Sequence, residues 1–280
     1  PVSRYFPMNG RTKELPQENV LKVLTYNVMS FGNMEHTASS PNKIVDYIAN
    51  SGADIVCLQE YAVVRSGKGL TGKTLFKALD MYPYRSVFQQ SQSHSLAVFS
   101  KYPLSNSRQI KYKNSYNGSA VHEVDINGKK MTLINNHLES FKLTMKDRSR
   151  YASVIRNLDS EALNNLRGSF LRKLASAFRQ RARQADIIAK EIEKADTEYI
   201  LVCGDFNDTP ISYTHDVIQG KMIDAFTESG RGAGHTYNQN FFWFRIDHII
   251  HSSNIKSYNC TVGDEKYSDH YPVWCYLELK

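Results

Sequence analysis

Short apolar runs that each stop on a chemistry-bearing residue recur along this chain. Residues 21–26 stop at Asn27, 54–59 at Glu60, 131–135 lead to His137, and 199–203 run into Gly204-Asp205-Phe206-Asn207-Asp208. Runs of five or six apolar residues bounded by turn formers read as buried strands. Other segments read as strands too: 96–99, 121–126 and the last one, 273–279. Asn127-Gly128 lies between 121–126 and 131–135 as a hairpin turn, because both residues tolerate positive φ. Helices are interspersed. Ser40-Pro41 is placed to open one, with Ser as N-cap and Pro at N1; Ile44, Val45, Ile48 and Ala49 form its apolar stripe, and Gly52 ends it. Another short helix is expected over 74–79. Strands with interspersed helices and a hairpin between neighbours predict an α/β sandwich of mixed sheets.

With 280 residues, 41% of them hydrophobic, the chain can bury a large core, and a single domain over 1–280 is expected, its first part an irregular arm over 1–18. No apolar stretch is long enough to span a membrane. The chain starts at Pro1, so upstream residues are expected to have been trimmed; an exported or membrane-anchored parent is one option, and the compartment stays open. None of the four cysteines forms a Cys-X-X-Cys pair. Cys57 and Cys203 sit in apolar runs and read as buried thiols; Cys260 and Cys275 either pair or stay free.

The net charge of +7 is concentrated in one place. Residues 142–183 hold eleven Lys and Arg against Asp147, Asp159 and Glu161, a local balance of +8. Leu163, Leu166, Phe170, Leu171 and Leu174 give the segment a helical apolar stripe, with a break expected near Gly168. A basic amphipathic helix suits a polyanion or an anionic membrane surface, and equally a helix docked on the core with a solvated face.

The polar residues at the strand ends suggest chemistry as a set. Asp205 can take a proton from water and Asn207 can orient that water, although Asp-X-Asn is also ordinary turn chemistry. Asn27, Glu60, His137, Asp247, Asp269 and His270 complete the set. It is rich in oxygen and poor in Cys, which suits Mg²⁺ or Mn²⁺ rather than zinc. Glu60 is the expected ligand, with Asn27 and Asp269 beside it.

Seven ordered motifs carry a resemblance: Leu-Thr-Tyr-Asn-Val (24–28), Leu-Gln-Glu (58–60), Ala-Val-Phe-Ser-Lys-Tyr-Pro (97–103), Asn-His-Leu-Glu (136–139), Gly-Asp-Phe-Asn (204–207), Arg-Ile-Asp-His-Ile (245–249) and Ser-Asp-His-Tyr-Pro (268–272). In this order they resemble the endonuclease/exonuclease/phosphatase superfamily. The resemblance implies a four-layer α/β/β/α sandwich of two mixed sheets flanked by helices, and divalent-metal hydrolysis of phosphoesters. It implies that Glu60 binds the metal with Asn27 and Asp269 nearby, and that Asp205 and Asn207 handle the attacking water. Asp247 would hold His270 beside the phosphate, and His137 would be a second electrophile or the acid for the leaving oxygen. Two departures stand out. Gln89, Gln90, Gln92 and Ser93 occupy the stretch where an acid would orient His137. Residues 141–175 read as a basic helical insertion, whereas the part toward 181–192 is similar to the family's usual helix. His-Leu-Glu-Ser (137–140) resembles the tyrosyl-DNA phosphodiesterase branch, but Gly-Asp-Phe-Asn is more general, so the branch stays open.

The expected function is a nuclease-type phosphodiesterase, with Arg179, Arg181 and Arg183 binding substrate phosphates and a monomer as the working unit. A phospholipid or phosphoinositide phosphoesterase at an anionic membrane is the alternative. There Phe241-Phe242-Trp243-Phe244 would be a membrane-contacting loop rather than core or site wall. A non-catalytic binding module is the third reading, and the full polar set argues against it.

Overall fold

A computed structural model describes every residue except 1, 11–12, 33–35, 38, 68, 92–93, 114, 142–159 and 240–241. The strands in chain order are Val20–Asn27 (β1), Ile55–Tyr61 (β2), Tyr84–Gln89 (β3), Ser95–Ser100 (β4), Leu104–Lys111 (β5), Gly118–Ile126 (β6), Lys129–His137 (β7), Tyr199–Asp205 (β8), Ile223–Asp224 (β9), Tyr237–Gln239 (β10), Phe242–Phe244 (β11), Asp247–His251 (β12), Ile255–Val262 (β13) and Val273–Leu279 (β14). The main helices are Lys43–Asn50 (α1), Gly72–Ala78 (α2), Ser160–Glu193 (α3), Tyr213–Gln219 (α4) and Ala225–Ser229 (α5). One sheet has the order β13-β14-β1-β2-β4-β3, the other β5-β6-β7-β8-β12-β9. Each is mixed, with one parallel pair at its centre: β1 with β2, and β7 with β8.

Side chains alternate across each central strand, and both faces are covered. Val23, Cys57 and Val98 of the first sheet meet Leu133, Leu201 and Ile249 of the second between the sheets. Leu24, Val56 and Leu58 face outward onto Ile44, Ile48 and Leu75 of α1 and α2. On the far side Ile134, Val202 and Ile250 pack on Ala185 and Ile188 of α3 and Ile218 of α4. Two-sided burial is why these strands are uninterrupted apolar runs, and the result is the expected α/β/β/α sandwich. Each buried Leu, Ile or Val contributes on the order of 1.5–3 kcal/mol, so this layering outweighs surface ion pairs of about 0–1 kcal/mol.

Local signals fared unevenly. The hairpin turns at Asn127 (φ 54°) and Gly128 (φ 91°), both left-handed as that turn requires. α1 starts two residues later than expected. Asn42, not Ser40, is its N-cap: its Oδ1 accepts from the Ile44 and Val45 N–H groups while its Nδ2 donates to the Phe31 carbonyl. Ser40 is instead held in a turn with Thr37. α3 runs through Gly168 without a break. The expected insertion over 141–175 therefore falls partly outside the described residues, at 142–159, and otherwise belongs to the same helix as 181–192. The arm is partly ordered: 2–5 form one helical turn, Met8 bridges Arg231, and the Arg245 guanidinium donates to the carbonyls of Arg4 and Tyr5. All four cysteines are free and buried, so Cys260 and Cys275 do not pair as a disulfide.

Candidate active site

The two central parallel pairs run toward the same edge of the sandwich. Asn27 ends β1, Glu60 lies near the end of β2, His137 ends β7 and Asp205 ends β8. His137, Asp205 and Asp247 are in register on three adjacent strands. β14 is antiparallel to β1 with Val273 opposite Thr25, so the segment leading into it brings Asp269 and His270 to the same edge. Polar bonds behind the cluster tie the sheets together. The Gln59 amide donates to Asn135 Oδ1 at 2.7 Å, and Asn135 Nδ2 donates to the Leu58 and Ala97 carbonyls at 3.2 Å.

Backbone irregularities aim the side chains. The register of β2 on β4 shifts between Leu58 and Tyr61, and Glu60 there has φ 50°. Such a bulge re-aims a side chain, here toward the cavity. Asn207 is also left-handed, at φ 52°. Gly204 has φ 125°, and a Cβ on it would lie 2.1 Å from the Asn136 carbonyl oxygen, so only glycine lets β8 approach β7 this closely. Strained positions of this kind cluster at functional sites.

Asp205 is the hub. Its Oδ1 accepts the Asn207 N–H at 2.8 Å, and its Oδ2 accepts the amides of Asn27 and Asn207, each at 3.1 Å. His270 Nε2 lies 3.7 Å from Asp205 Oδ2 and His137 Nε2 3.8 Å. His270 Nδ1 is 2.8 Å from Asp247 Oδ2. Burial pushes the Asp205 carboxyl up to about 7, with Asp247 adding to the rise and His270 opposing it. Burial also opposes charge on His270, but Asp247 and Asp205 outweigh it and hold the imidazole well above its usual range. His137 behaves oppositely: burial lowers it despite Glu60. Glu60 is held below the usual range because His137, His270 and His94 outweigh its own burial. A cavity of about 140 Å³ opens onto this cluster, walled by Phe141, Tyr237 and Phe244 and bordered by Glu60 and Asp269.

Most of the expected residues meet here, but two, Arg181 and Asn27, are placed differently from the sequence reading. Arg181 is fully buried. Its Nε donates to Asp208 Oδ2 at 3.1 Å, its Nη1 to the Glu139 carbonyl at 2.7 Å, and its guanidinium packs against the rings of both Phe141 and Phe178. It is unavailable for substrate phosphates and instead anchors α3 behind the site. Asp208, in the bend after β8, is the buried counter-charge for that anchor. Asn27 turns its amide N–H groups to Glu60 and Asp205, while its Oδ1 accepts the Met29 N–H. In this orientation it positions the carboxylates rather than offering oxygen to a metal. Arg179 and Arg183 are exposed on the neighbouring face of α3.

Among the described residues no acid stands behind His137. His137 Nδ1 is buried without a hydrogen-bond partner. Gly118 pairs with His137 across the ladder, and the Gln90 amide packs over it, 3.1 Å from where a Cβ would sit. Sequence reasoning missed His94, whose Nε2 is 3.7 Å from Glu60, and Thr236, whose hydroxyl accepts the Ile246 and Asp247 N–H groups. It also missed a second buried cluster, His215, Asp224 and His248. His248 lies in the 245–249 motif, but no motif spacing marked His94, Thr236, His215 or Asp224, because each reaches its place from a separate loop or strand.

The donor set fits a hard divalent ion. Glu60 is a carboxylate held ionised at the cavity rim, Asp269 borders the same cavity, and no cysteine is near. One or two carboxylates plus substrate phosphate oxygens are what magnesium accepts.

Known structures share this frame. A truncated Caenorhabditis elegans TDP2 superposes with a TM-score of 0.61 at 17% identity, covering 92% of this chain and 97% of that one. Danio rerio TDP2 complexed with single strand DNA product gives 0.64 at 15% identity, over 93% and 99% of the two chains. An endonuclease/exonuclease/phosphatase from Bacteroides vulgatus gives 0.64 at 17% identity, over 94% and 100%. No curated protein matches the sequence. At these identities the structural likeness establishes the fold. The model of the Endonuclease/Exonuclease/phosphatase family, by contrast, matches the sequence itself over residues 24–270, from the strand that ends at Asn27 to His270. With its strand-end residues gathered at one edge of a two-sheet sandwich and that match spanning nearly all of it, the chain belongs to the Endonuclease/Exonuclease/phosphatase family.

Proposed function

We propose that this protein is a Mg²⁺- or Mn²⁺-dependent phosphodiesterase of the nuclease type. The observation that carries the reading is Asp205: a buried carboxyl raised to about 7, fixed by two asparagines and flanked by two histidines in opposite electrostatic settings. Near neutral pH such a group suits removal of a proton from an attacking water. Asn207 and Asn27 keep its oxygens oriented. His270, kept cationic by Asp247, donates from Nε2 to a non-bridging phosphate oxygen and offsets the charge that builds there. His137, kept neutral by burial, donates through Nε2 to the leaving or a second non-bridging oxygen once its proton resides on that nitrogen. Glu60 and Asp269 would hold the metal, which supplies Lewis-acid neutralisation of the phosphate when bound. Nucleic acid is favoured as substrate by the basic balance of the chain, and Danio rerio TDP2, of the same fold, was crystallised with a single strand DNA product.

The test is turnover of single-stranded and duplex DNA, RNA and bis(p-nitrophenyl) phosphate with Mg²⁺ or Mn²⁺. Cleavage of at least one nucleic acid is expected, abolished by EDTA and lowered on the order of 10²–10⁴-fold by His270→Ala. Absence of metal-dependent turnover on every substrate overturns the reading. A second reading, a phospholipid phosphoesterase, is favoured by Trp243, which is 54% exposed on the strand that supplies Phe244 to the cavity. Headgroup release from sphingomyelin or phosphoinositide vesicles without cleavage of nucleic acid would establish it instead.

A further inference from the structure

Beside the active site runs a second concavity of about 330 Å³, between α3 and the segment that joins β5 to β6. One face of α3 lines it at helical spacing with Arg179, Arg183 and Gln184, and Lys113 faces them from the connecting segment. Lys113, Arg179 and Arg183 are exposed, and no Asp or Glu is among the lining residues. Three cations converging on a groove without a carboxylate create a local positive potential that draws an anion. The floor also holds an unused donor. Gln184 is 2% exposed; its Oε1 accepts the Glu139 N–H at 2.8 Å, which fixes the amide orientation, and its Nε2 is buried with no acceptor. A buried donor left without a partner is destabilising, a cost that an anion seated in the groove would relieve after a small shift of the side chains over it.

The groove is connected to the catalytic edge. Glu139, which Gln184 holds, is two residues beyond His137. The Tyr112 wall is joined to the same strand through Ser119, whose hydroxyl is 2.6 Å from the Tyr112 hydroxyl and donates to Asn136 Oδ1 at 2.5 Å. We infer that this groove is a second phosphate subsite, which binds the backbone of a polynucleotide a few nucleotides from the phosphate being cleaved. The inference rests on the phosphodiesterase reading above. A recessed groove with a buried amide donor suits a phosphodiester, whereas a membrane surface would call for a convex face with apolar side chains.

The experiment is a triple variant, Lys113→Gln with Arg179→Gln and Arg183→Gln, at three exposed positions outside the catalytic cluster. Binding of a labelled single-stranded oligonucleotide is measured by anisotropy across a salt series, in parallel with turnover of bis(p-nitrophenyl) phosphate. The expected result is an oligonucleotide Kd raised at least tenfold and a log Kd against log salt slope reduced by about two, from roughly 0.7 per lost contact on a single strand. Turnover of the small diester should stay within twofold. Unchanged Kd and salt slope overturn the subsite while leaving the catalytic reading intact. Wild-type protein that turns over no diester sinks the catalytic reading, and the anisotropy series still decides the groove. Oligonucleotide binding that is absent in the wild type, with vesicles of phosphatidylserine bound through the same three cations, also overturns the subsite.

Discussion

Two buried His–Asp clusters in this molecule have nearly the same dimensions and different characters. In one, His270 Nδ1 lies 2.8 Å from Asp247 Oδ2, and its Nε2 lies 3.7 Å from Asp205. In the other, His215 Nε2 lies 2.8 Å from Asp224 Oδ2, and His248 Nδ1 lies 3.7 Å from the same oxygen. The first borders the cavity. The second is packed under the Phe206 ring, 5.0 Å from His248, and two of its other groups serve structure: Asp224 Oδ1 accepts the Thr227 N–H at the start of α5, and His248 Nε2 donates to the Asp208 carbonyl. Asp224, paired with His215 and His248 despite its burial, is held well below the usual carboxylate range. Asp205 is pushed up by its burial, with Asp247 adding to the rise and His270 opposing it. Distance alone therefore does not make a site; access to the cavity and a charge left unbalanced for a substrate do.

The sharpest way to break this comparison is to neutralise one carboxylate in each cluster. Asp205→Asn keeps the shape but turns an amide N–H toward one of the donors that Asp205 accepts, so kcat should fall on the order of 10²–10⁴-fold while the denaturation midpoint falls less than in Asp224→Ala. Retention of activity within tenfold would remove Asp205 from the role of base. Asp224→Ala should do the reverse. Removing one partner of a buried ion pair costs about 3–5 kcal/mol, read as a lower urea midpoint, with kcat per folded molecule changed less than threefold. Lost activity at unchanged stability would place the second cluster in the chemistry.

The smallest effect is the pH dependence of folding. Asp224 has a folded pKa depressed below its unfolded value, so its stabilisation is present above about 3.9 and is lost as pH falls through the folded value. His248 is lowered by burial, so the unfolded chain binds its proton first and stability declines as pH falls below about 6.5. Both terms have the same sign. The wild-type urea midpoint should fall in two stages on acidification, and Asp224→Ala should flatten the lower stage. A lower stage of undiminished depth in the variant would assign acid sensitivity to other groups.

How much of this was legible in the sequence follows from the range of the interactions involved. Strands β1, β2, β7, β8 and β14 were readable because buried strands are short apolar runs, and their polar ends were readable because the run stops there. The hairpin at Asn127-Gly128 was readable because the turn demands φ > 0 at both positions. The start of α1 was misread because the Asn42 cap is tied to Phe31, a contact that no local rule contains. Arg181 was misread for a similar reason. On a basic helix it looks like Arg179 and Arg183, one turn of α3 apart, yet it faces Asp208 and the Glu139 carbonyl.

The sequence by itself determined the layered sandwich and the polar residues at the strand ends, because alternation, run length and turn residues are local properties. Only the tertiary structure decided which of those ends meet. Placing His137, Asp205 and Asp247 in one row needs the register of three strands far apart in the chain. Bringing Asn27 and Glu60 to them needs two sheets stacked through Gln59 and Asn135. The same packing sealed Asp224 beneath Phe206 and left Asp205 at a cavity, and that difference in access, rather than residue type, separates a structural ion pair from a candidate catalytic one.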